Sequence, residues 1–328
     1  MIQKQPLVSV VVVTYNSGKT VLDTLESILV QTYQNIELII SDDCSLDNTV
    51  DVCREWIADH RSRFTDIKLL LAEKNQGVCV NANRGRFASN GEWMKGIAGD
   101  DILLPNCVKD NVDYVLTHPD AVFIFSFMKV YLNDFKENNC IDKKKGPRDL
   151  SLFTEPSSIQ LIHMAYSAFV QTPTMFIKSS VFKEIGGYSD RYGYEDWPFF
   201  IEMLEKGYKC DFLDSITIGY RVHSSLSHTS GKLFNYSLTK KTIPFIKERC
   251  FGYYSRRKKF AVKTQWMMEK ILYKTHLDKA TPVMSFLYRK ITAALFKFGN
   301  SSLKKIRINK YESQGKCYSS CLGGRKIH

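Results

Sequence analysis

The sequence predicts an α/β fold in which helices flank a central, mostly parallel sheet. Four strand-like runs occur within residues 1–100, and a helical pattern separates each run from the next. This alternation forms right-handed βαβ units, and such sheets bind their ligands at the carboxyl ends of the strands. Polar clusters also follow all four runs, so we expect a ligand crevice along one edge of the sheet.

The first run, 7–14 (LVSVVVVT), is rich in β-branched residues and is typical of a strand buried on both faces. A turn at 16–18 then leads into a helix, because Leu22, Leu25 and Leu29 are spaced to share one face. The other elements follow in order: strand 36–41, helix 47–60, strand 67–72, a helix from the turn at 75–77 to residue 88, and strand 92–97.

After Pro105 the pattern is less regular. We expect strand 121–132, an exposed loop at 143–147, helix 157–165, strand 174–178, a helix that opens at 194–197, and two short strands at 210–213 and 216–222. These elements predict one sheet-containing domain over 1–231, with 1–104 and 105–231 as its halves. Residues 232–328 are expected to form a basic, mainly helical extension.

Positive charge is concentrated in the C-terminal quarter. The whole chain carries a net charge of +12, whereas residues 249–328 alone contain 19 lysines and arginines against 3 acidic residues. The nine cysteines form no zinc-binding spacing, and their free use indicates a reducing compartment. No signal-peptide pattern and no bilayer-spanning apolar run is found in the sequence. The composition therefore predicts a cytoplasmic protein.

Asp100 and Asp101 follow strand 92–97, directly after the turn residue Gly99. Adjacent carboxylates at this end of a strand are a common way to hold Mg²⁺ or Mn²⁺ against a phosphate. The alternative is that Asp101 caps a helix that begins at Ile102. The glycine-rich loops of dehydrogenases and Walker nucleotide-binding proteins are absent after the first strand. A carboxylate-bound metal is therefore the expected means of holding a nucleotide diphosphate.

Seven short segments occur in a fixed order between residues 7 and 225: VSVVVVTYN, the helical segment from Ser27 to Gln31, IELIISDDCSLDNT, ASNGEWMKGIAGDD, IGGY, YEDW and YRVH. Together they resemble the family 2 glycosyltransferases, which have the GT-A fold and build bacterial cell-surface polysaccharides such as lipopolysaccharide or capsule. Each segment alone is weakly specific, whereas the whole set in this order is strongly specific. The resemblance covers about two thirds of the chain.

The resemblance implies that residues 1–104 bind a nucleotide-diphosphate sugar, by family habit a UDP-sugar. Arg84 is a candidate contact to the base or the diphosphate, and Asp100 would bind Mn²⁺ or Mg²⁺ with Asp101 beside it. The residues implied in binding the base and ribose are Thr14, Tyr15, Asn16 and Asp42.

The chain departs from the Asp-x-Asp motif of the family at one position. Ala98 replaces the first carboxylate, which usually contacts the ribose, whereas the metal-binding Asp100 is kept. Ala98 at this position would weaken the dependence of activity on the metal. His223 matches a metal- or diphosphate-contacting imidazole of the family. Arg221 is a candidate diphosphate contact, with a surface salt bridge as the alternative.

Asp196 matches the catalytic base of the family. It would take the proton of an acceptor hydroxyl as the oxygen attacks the anomeric carbon, which inverts the configuration there. The alternative is that the helix dipole favours Glu195 and Asp196 in a first turn. Residues 105–231 would bind the acceptor, a glycan or a lipid-linked saccharide. Tyr188, Glu195 and Trp197 are candidate acceptor contacts, with core packing as the alternative for Trp197.

The segment 282–298 predicts a basic amphipathic helix. Arg289, Lys290 and Lys297 lie beside its apolar stripe, which suits an anionic membrane surface and predicts a peripheral location on the inner face of the cell membrane. The alternative is a helix packed on the catalytic domain. The stripe consists of Met284, Leu287, Tyr288, Ile291, Leu295 and Phe298.

Three other functions are alternatives to glycosyl transfer for this sequence. A nucleic-acid-binding protein would explain the basic C-terminal region, but no recognisable nucleic-acid motif accompanies it and the acidic sheet edge would repel phosphate, so we expect no nucleic-acid partner. A nucleotidyltransferase on a similar sheet would release pyrophosphate instead of a nucleoside diphosphate. A non-catalytic relative is the third alternative, since Ala98 alters the metal motif.

Overall fold

A computed structural model of the chain describes residues 5–192, 195–222 and 231–301. The chain is divided into two compact units. The first takes its described residues from 1–160 and 169–224, and the second takes them from 161–168 and 225–328.

The first half of the sheet consists of parallel strands in the order β3-β2-β1-β4. The connecting helices bury apolar faces against strands whose side chains are buried on both sides, as in β1 and β2. This half confirms the predicted alternation of strands and helices. Its elements are β1 (Val8–Thr14), α1 (Val21–Leu29), β2 (Ile36–Asp42), α2 (Thr49–His60), β3 (Asp66–Leu71), α3 (Val78–Phe87) and β4 (Trp93–Ala98).

The second half continues the sheet in the order β4-β8-β6-β9-β5, with β7 paired to β6. Strands β6 and β9 are parallel, and the other pairs in this half are antiparallel. Its elements are β5 (Ile102–Leu103), α4 (Cys107–Thr117), β6 (Phe123–Leu132), β7 (Cys140–Lys145), α5 (Ser157–Tyr166), β8 (Phe176–Lys178), α6 (Ser179–Ile185), α7 (Asp196–Glu205) and β9 (Asp211–Val222).

Three local expectations were wrong. The two short strands at 210–213 and 216–222 are one strand, β9, because its pairing with β6 continues past a bulge between Leu213 and Ile216. Residues 143–145 belong to β7 and not to an exposed loop. Asp101 does not cap a helix, since β5 follows it directly and pairs with β9.

The second unit is helical in its described residues. Helices α9 and α10 are joined by a hydrogen bond of 2.7 Å from Tyr288 Oη to Glu269 Oε1 and by ring contact between Phe260 and Phe298 at 6.3 Å. None of the described helices combines the length and apolar content needed to cross a bilayer. The elements are α8 (Tyr236–Phe245), a π-helical turn (Ile246–Cys250), α9 (Arg256–Lys274) and α10 (Pro282–Asn300).

The apolar stripe predicted for the C-terminal helix is divided between two faces of α10. Met284, Tyr288 and Leu295 are half-buried, whereas Leu287 is exposed. The inward residues pack because α9 lies along that face, a partner that the sequence pattern did not reveal. The other apolar side chains that α10 exposes are Val283, Phe286, Ile291, Phe296 and Phe298.

Candidate functional site

A cleft of about 800 Å³ opens at the carboxyl ends of β1 and β4, within the first unit. It combines residues from both halves of the sequence, as the strand order requires. Many sequence-predicted site residues line it, namely Thr14, Tyr15, Asp100, Asp101, Tyr188, Glu195 and Asp196. The predicted residues that do not appear in its described lining are Asn16, Asp42, Arg84, Trp197 and Arg221. His223 lies outside the described residues.

The turn that carries Asp100 and Asp101 is fixed by β9. The backbone N–H of Arg221 donates to Asp101 Oδ1 at 2.8 Å, and Arg221 Nε donates to the carbonyl of Asp100 at 2.8 Å. Thr24 Oγ1 also donates to the carbonyl of Asp101 at 2.7 Å. The pairing of β5 with β9 brings Arg221 to this turn, so the acidic pair is held by residues distant in sequence.

Arg221 is buried, although the salt-bridge alternative foresaw a surface position. Its Nη2 lies 2.6 Å from Asp23 Oδ2, its Nη1 donates to the carbonyl of Asn133 at 3.0 Å, and its guanidinium lies 4.3 Å from the centre of the Phe135 ring. The ion pair with Asp23 exists, but the arginine side chain is only 5% exposed. These contacts support a bracing role for Arg221, and its contact with a diphosphate stays a prediction.

The acidic pair suits a divalent cation. Burial and the neighbouring charge of Asp100 raise the pKa of Asp101 to about 8, and a bound cation would favour its ionised form. Carboxylate oxygens are the donors that Mg²⁺ and Mn²⁺ prefer. Among the described residues, no three His, Cys, Asp or Glu side chains group as metal ligands. Two carboxylates leave most positions around such a cation to other ligands, and the metal role of His223 stays a prediction.

Asp42, the last residue of β2, and Asp43, which follows it, have carboxylates with different hydrogen-bond partners. The Asp42 carboxylate accepts from Thr14 Oγ1 at 2.8 Å and from the backbone N–H of Ser45 at 2.8 Å. The Asp43 carboxylate lines the cleft and accepts from the backbone N–H of Gly77 at 2.7 Å, which fixes the start of α3. Asp43 is thus a cleft residue to which the sequence analysis gave no role.

The remaining donor-side residues surround the same strand ends. Tyr15 is 46% exposed and lines the cleft, which leaves its ring available to a planar ligand. Asn16 Oδ1 accepts from the backbone N–H of Leu46 at 2.8 Å and ties the two loops together. Arg84 Nη1 donates to the carbonyl of Asp42 at 3.1 Å. The contacts of Asn16 and Arg84 stabilise the loops, and their binding roles stay predictions.

Asp196 is the first residue of α7, and two donors fix its carboxylate. Thr172 Oγ1 donates to Oδ2 at 2.7 Å, and the backbone N–H of Trp197 donates to Oδ1 at 2.6 Å. The turn that carries Thr172 is held in turn by Lys95 of β4, whose Nζ donates to the carbonyl of Pro173 at 2.6 Å. The carboxylate therefore has a defined orientation at the cleft wall.

Lys95 is fully buried, and this burial lowers its pKa to about 8. Its ammonium group donates also to the carbonyl of Met175 at 3.3 Å, so that it links β4 to the middle of the Thr172–Thr174 turn and to the residue that follows it. We infer that Lys95 positions Thr172, and through it Asp196.

The candidate acceptor residues have different surroundings. Tyr188 is buried, its ring packs against Phe182 and Phe199, and burial raises its pKa to about 12. Burial, followed by the charge of Asp196, raises the pKa of Glu195. Both the buried Tyr188 and the half-buried Glu195 line the cleft.

Besides Asp43, the sequence analysis missed Lys95 and two residues that line the cleft, Arg86 and Thr172. Lys95 had a detectable signal, since a lysine interrupts an otherwise apolar strand. Arg86 had one too, because it shares a helix face with the buried Cys79 and Ala82. Thr172 had none, since only the fold brings it to Asp196.

Comparisons with known proteins place this geometry in context. The family model described as glycosyl transferase family 2 matches residues 9–186. One similar relative is the UDP-Glc:alpha-D-GlcNAc-diphosphoundecaprenol beta-1,3-glucosyltransferase WfaP of Escherichia coli. It is 26% identical over 221 residues, which cover 66% of this chain and 78% of the relative.

Solved structures show a similar fold. Residues 1–349 of TarS of S. aureus in complex with UDP-GlcNAc have a TM-score of 0.53 and 17% identity, covering 93% of this chain and 77% of that chain. The mannosyltransferase PcManGT of Pyrobaculum calidifontis, in complex with GDP-Man and Mn²⁺, has a TM-score of 0.52 and 15% identity, covering 98% of this chain and 79% of that enzyme. At these identities the likeness is one of fold, and it confirms the predicted GT-A fold.

Proposed function

Because the chain belongs to glycosyl transferase family 2 and is a glycosyltransferase, we propose that it transfers a sugar from a nucleotide-diphosphate donor to a hydroxyl of a glycan or lipid-linked saccharide, with inversion at the anomeric carbon. One observation carries the proposal: a single cleft contains both the Asp100–Asp101 pair and Asp196. Single displacement needs a site for the departing diphosphate and a base for the incoming hydroxyl within reach of one sugar ring.

In the proposed reaction, Asp196 accepts the proton of the acceptor hydroxyl while the oxygen of that hydroxyl bonds to the anomeric carbon. The bond from that carbon to the phosphate oxygen breaks, and the nucleoside diphosphate leaves with the bonding electrons. The hydrogen bonds from Thr172 and from the Trp197 backbone hold the carboxylate in one orientation. A base that is positioned in this way contributes about 10²–10⁴-fold in rate.

Asp100 and Asp101 would hold Mn²⁺ or Mg²⁺ against the diphosphate. The bound cation would offset the charge that develops on the leaving diphosphate. The mannosyltransferase structure with GDP-Man and Mn²⁺ supports a metal in this fold. The contacts of Arg221 fix the Asp101 carboxylate and the backbone of Asp100 in the lining of the cleft. Thr14, Tyr15, Asn16, Asp42 and Arg84 remain the proposed nucleotide contacts.

Polysaccharide synthesis is the proposed context, because the similar Escherichia coli relative is named for a reaction on a diphosphoundecaprenol-linked sugar. The test is a donor screen with purified protein and a panel of UDP-, GDP- and dTDP-sugars, each with Mn²⁺, Mg²⁺ or EDTA. We expect release of a nucleoside diphosphate from one donor class, and faster release when a lipid-linked saccharide is added. Pyrophosphate as the product would instead indicate nucleotidyl transfer.

We further propose that the C-terminal helices bind an anionic membrane surface on the inner face of the cell membrane. On α10, exposed apolar side chains such as Phe286 and Phe296 alternate with Arg289, Lys290 and Lys297. Apolar insertion and charge attraction act together on such a helix, and each basic residue contributes about 1 kcal/mol. This location would bring the cleft to a lipid-linked acceptor.

The membrane proposal predicts that the protein co-sediments with phosphatidylglycerol-containing vesicles but not with pure phosphatidylcholine vesicles. Replacing Phe286 and Phe296 together by serine should lower the bound fraction severalfold and leave donor turnover with a soluble acceptor unchanged. Leu46, exposed in the first unit, gives a matched apolar control as Leu46→Ser. Equal binding to both kinds of vesicle would contradict the proposal.

A further inference from the structure

Arg86 is a buried cation in the lining of the cleft. It lies in the last turn of α3 and is 6% exposed, and within the described chain its Nε and Nη1 atoms have no hydrogen-bond partner. A buried charge without a partner lowers stability, and such groups in native proteins call for a specific explanation. Nε and Nη1 are fully buried, so an anionic ligand in the cleft would meet the guanidinium at Nη2 and offset its charge there.

The packing around Arg86 holds the guanidinium in place without neutralising it. Its Cζ lies 5.2 Å from the centre of the Phe182 ring and 5.4 Å from that of Tyr188. Gly96 of β4 leaves room for it, because a Cβ at that position would lie 2.1 Å from Nη2. Aromatic faces orient a guanidinium but leave its N–H groups without acceptors. The group is therefore pre-positioned for a ligand.

Glu195 is the carboxylate that shares this part of the cleft. Burial and the charge of Asp196 raise the pKa of Glu195, and Arg86 opposes that rise, so the two side chains are within electrostatic reach. However, within the described residues no hydrogen bond joins Glu195 to the unpartnered Nε and Nη1 of Arg86. Glu195 thus reduces the local positive charge without filling the hydrogen-bonding capacity of the arginine.

The position of Arg86 distinguishes it from a diphosphate contact. It faces Gly96, which precedes the proposed metal-binding Asp100 by four residues on β4 and its turn. At the rise of a strand, Gly96 lies about 7 Å before Ala98, the last residue of β4, so Arg86 is set back from the turn that carries Asp100. A sugar ring attached to a diphosphate at Asp100 spans such a distance, so that its far side would meet the guanidinium.

We propose that Arg86 binds a carboxylate of the sugar that occupies the cleft, so that the enzyme acts on a hexuronic acid. A hydroxyl of a neutral sugar would accept a hydrogen bond but leave the charge uncompensated, whereas a carboxylate does both. This inference rests on the proposed glycosyl transfer and adds the substrate class. The carboxylate belongs either to the donor sugar or to the acceptor, and the experiment separates these sources.

The experiment is isothermal titration calorimetry with Mn²⁺ on the wild-type protein, Arg86→Met and Arg54→Met. The ligands are UDP, UDP-glucose and UDP-glucuronate, together with GDP, GDP-mannose and GDP-mannuronate. We expect wild-type protein to bind the uronate donor at least about tenfold more tightly than its neutral counterpart. Arg86→Met should lose this preference and bind the nucleoside diphosphate unchanged. Arg54→Met removes an exposed arginine of α2 and should behave as wild type.

Free glucuronate added to the nucleoside-diphosphate complex tests the acceptor as the source. The carboxylate belongs to the acceptor if glucuronate binds to this complex only when Arg86 is present and the protein shows no preference for uronate donors. Thermal unfolding of ligand-free protein separates binding from structure, because replacement of an unpaired buried charge by methionine should maintain or raise the Tm. A lowered Tm with unchanged ligand preference would identify Arg86 as structural and overturn the inference.

The comparison of uronate and neutral ligands on wild-type protein needs no variant. It therefore tests the inference even if Arg86→Met does not fold. Equal affinity for uronate and neutral donors, with no binding of glucuronate, overturns the inference while the proposed glycosyl transfer stands. If UDP and GDP fail to bind, and dTDP titrated in the same way also fails, the nucleotide-binding proposal itself is refuted and the inference falls with it.

Discussion

Replacing Asp196 by asparagine should lower the turnover number of sugar transfer by about 10²–10⁴-fold, which is the usual contribution of a positioned general base. Asparagine keeps one acceptor oxygen for the Trp197 backbone N–H, and its NH2 group can donate to Thr172 Oγ1, whose hydroxyl rotates to accept, so the start of α7 should keep its structure. The donor contacts lie elsewhere, and the KM for the donor should change little. Steady-state rates of nucleoside-diphosphate release with an acceptor measure both quantities.

The matched control for this variant is Asp51→Asn, because Asp51 also lies in the first turn of a helix but is exposed on α2. It should show wild-type rates. A Thr172→Val variant should lie between wild type and Asp196→Asn, since it removes one hydrogen bond to the carboxylate and keeps the base. Wild-type turnover in Asp196→Asn would contradict the assigned role.

Replacing Asp100 by asparagine should remove most of the metal-dependent rate. A divalent cation contributes several kcal/mol to stabilising the leaving diphosphate, so we expect a loss of about 10²-fold at saturating donor. The half-saturating Mn²⁺ concentration should rise as well, because one anionic ligand is lost. Chelation of the wild-type enzyme with EDTA should produce a loss of similar size, reversed by added Mn²⁺.

Asp59 is an exposed acidic residue of α2, and Asp59→Asn is the control for the loss of one negative charge. Circular dichroism should show the same fold for both variants, since the substitution keeps the backbone carbonyl of Asp100 that accepts from Arg221 Nε. Donor turnover that persists in EDTA at the wild-type rate would mean that the chain, with Ala98 in the metal motif, works without a bound cation.

The first half of the fold was predictable from sequence because its determinants are local. β-branched runs such as that of β1 specify buried strands, and the turn after β4 marks the position of Asp100. The helical start at Asp196 was also predicted, since acidic residues precede an apolar helical pattern. Placement of the acidic pair at the cleft followed from the rule for parallel sheets.

The remainder depends on contacts between distant residues. The bracing of the Asp100–Asp101 turn by Arg221 requires β9 to lie beside β5, which no local pattern specifies. The link from Lys95 through the turn at Thr172 to Asp196 depends likewise on the docking of three separate segments. Arg86 carries a local signal, but its unpartnered atoms become evident only when Gly96 and the aromatic rings surround it.

The most direct test of glycosyl transfer from this cleft is ³¹P NMR of the donor selected by the screen, incubated with wild-type protein or with Asp196→Asn. Wild-type protein should convert the donor resonances into those of the nucleoside diphosphate, and Asp196→Asn should do so at least about 10²-fold more slowly. Pyrophosphate as the phosphorus-containing product, or equal rates for the two proteins, would contradict this expectation.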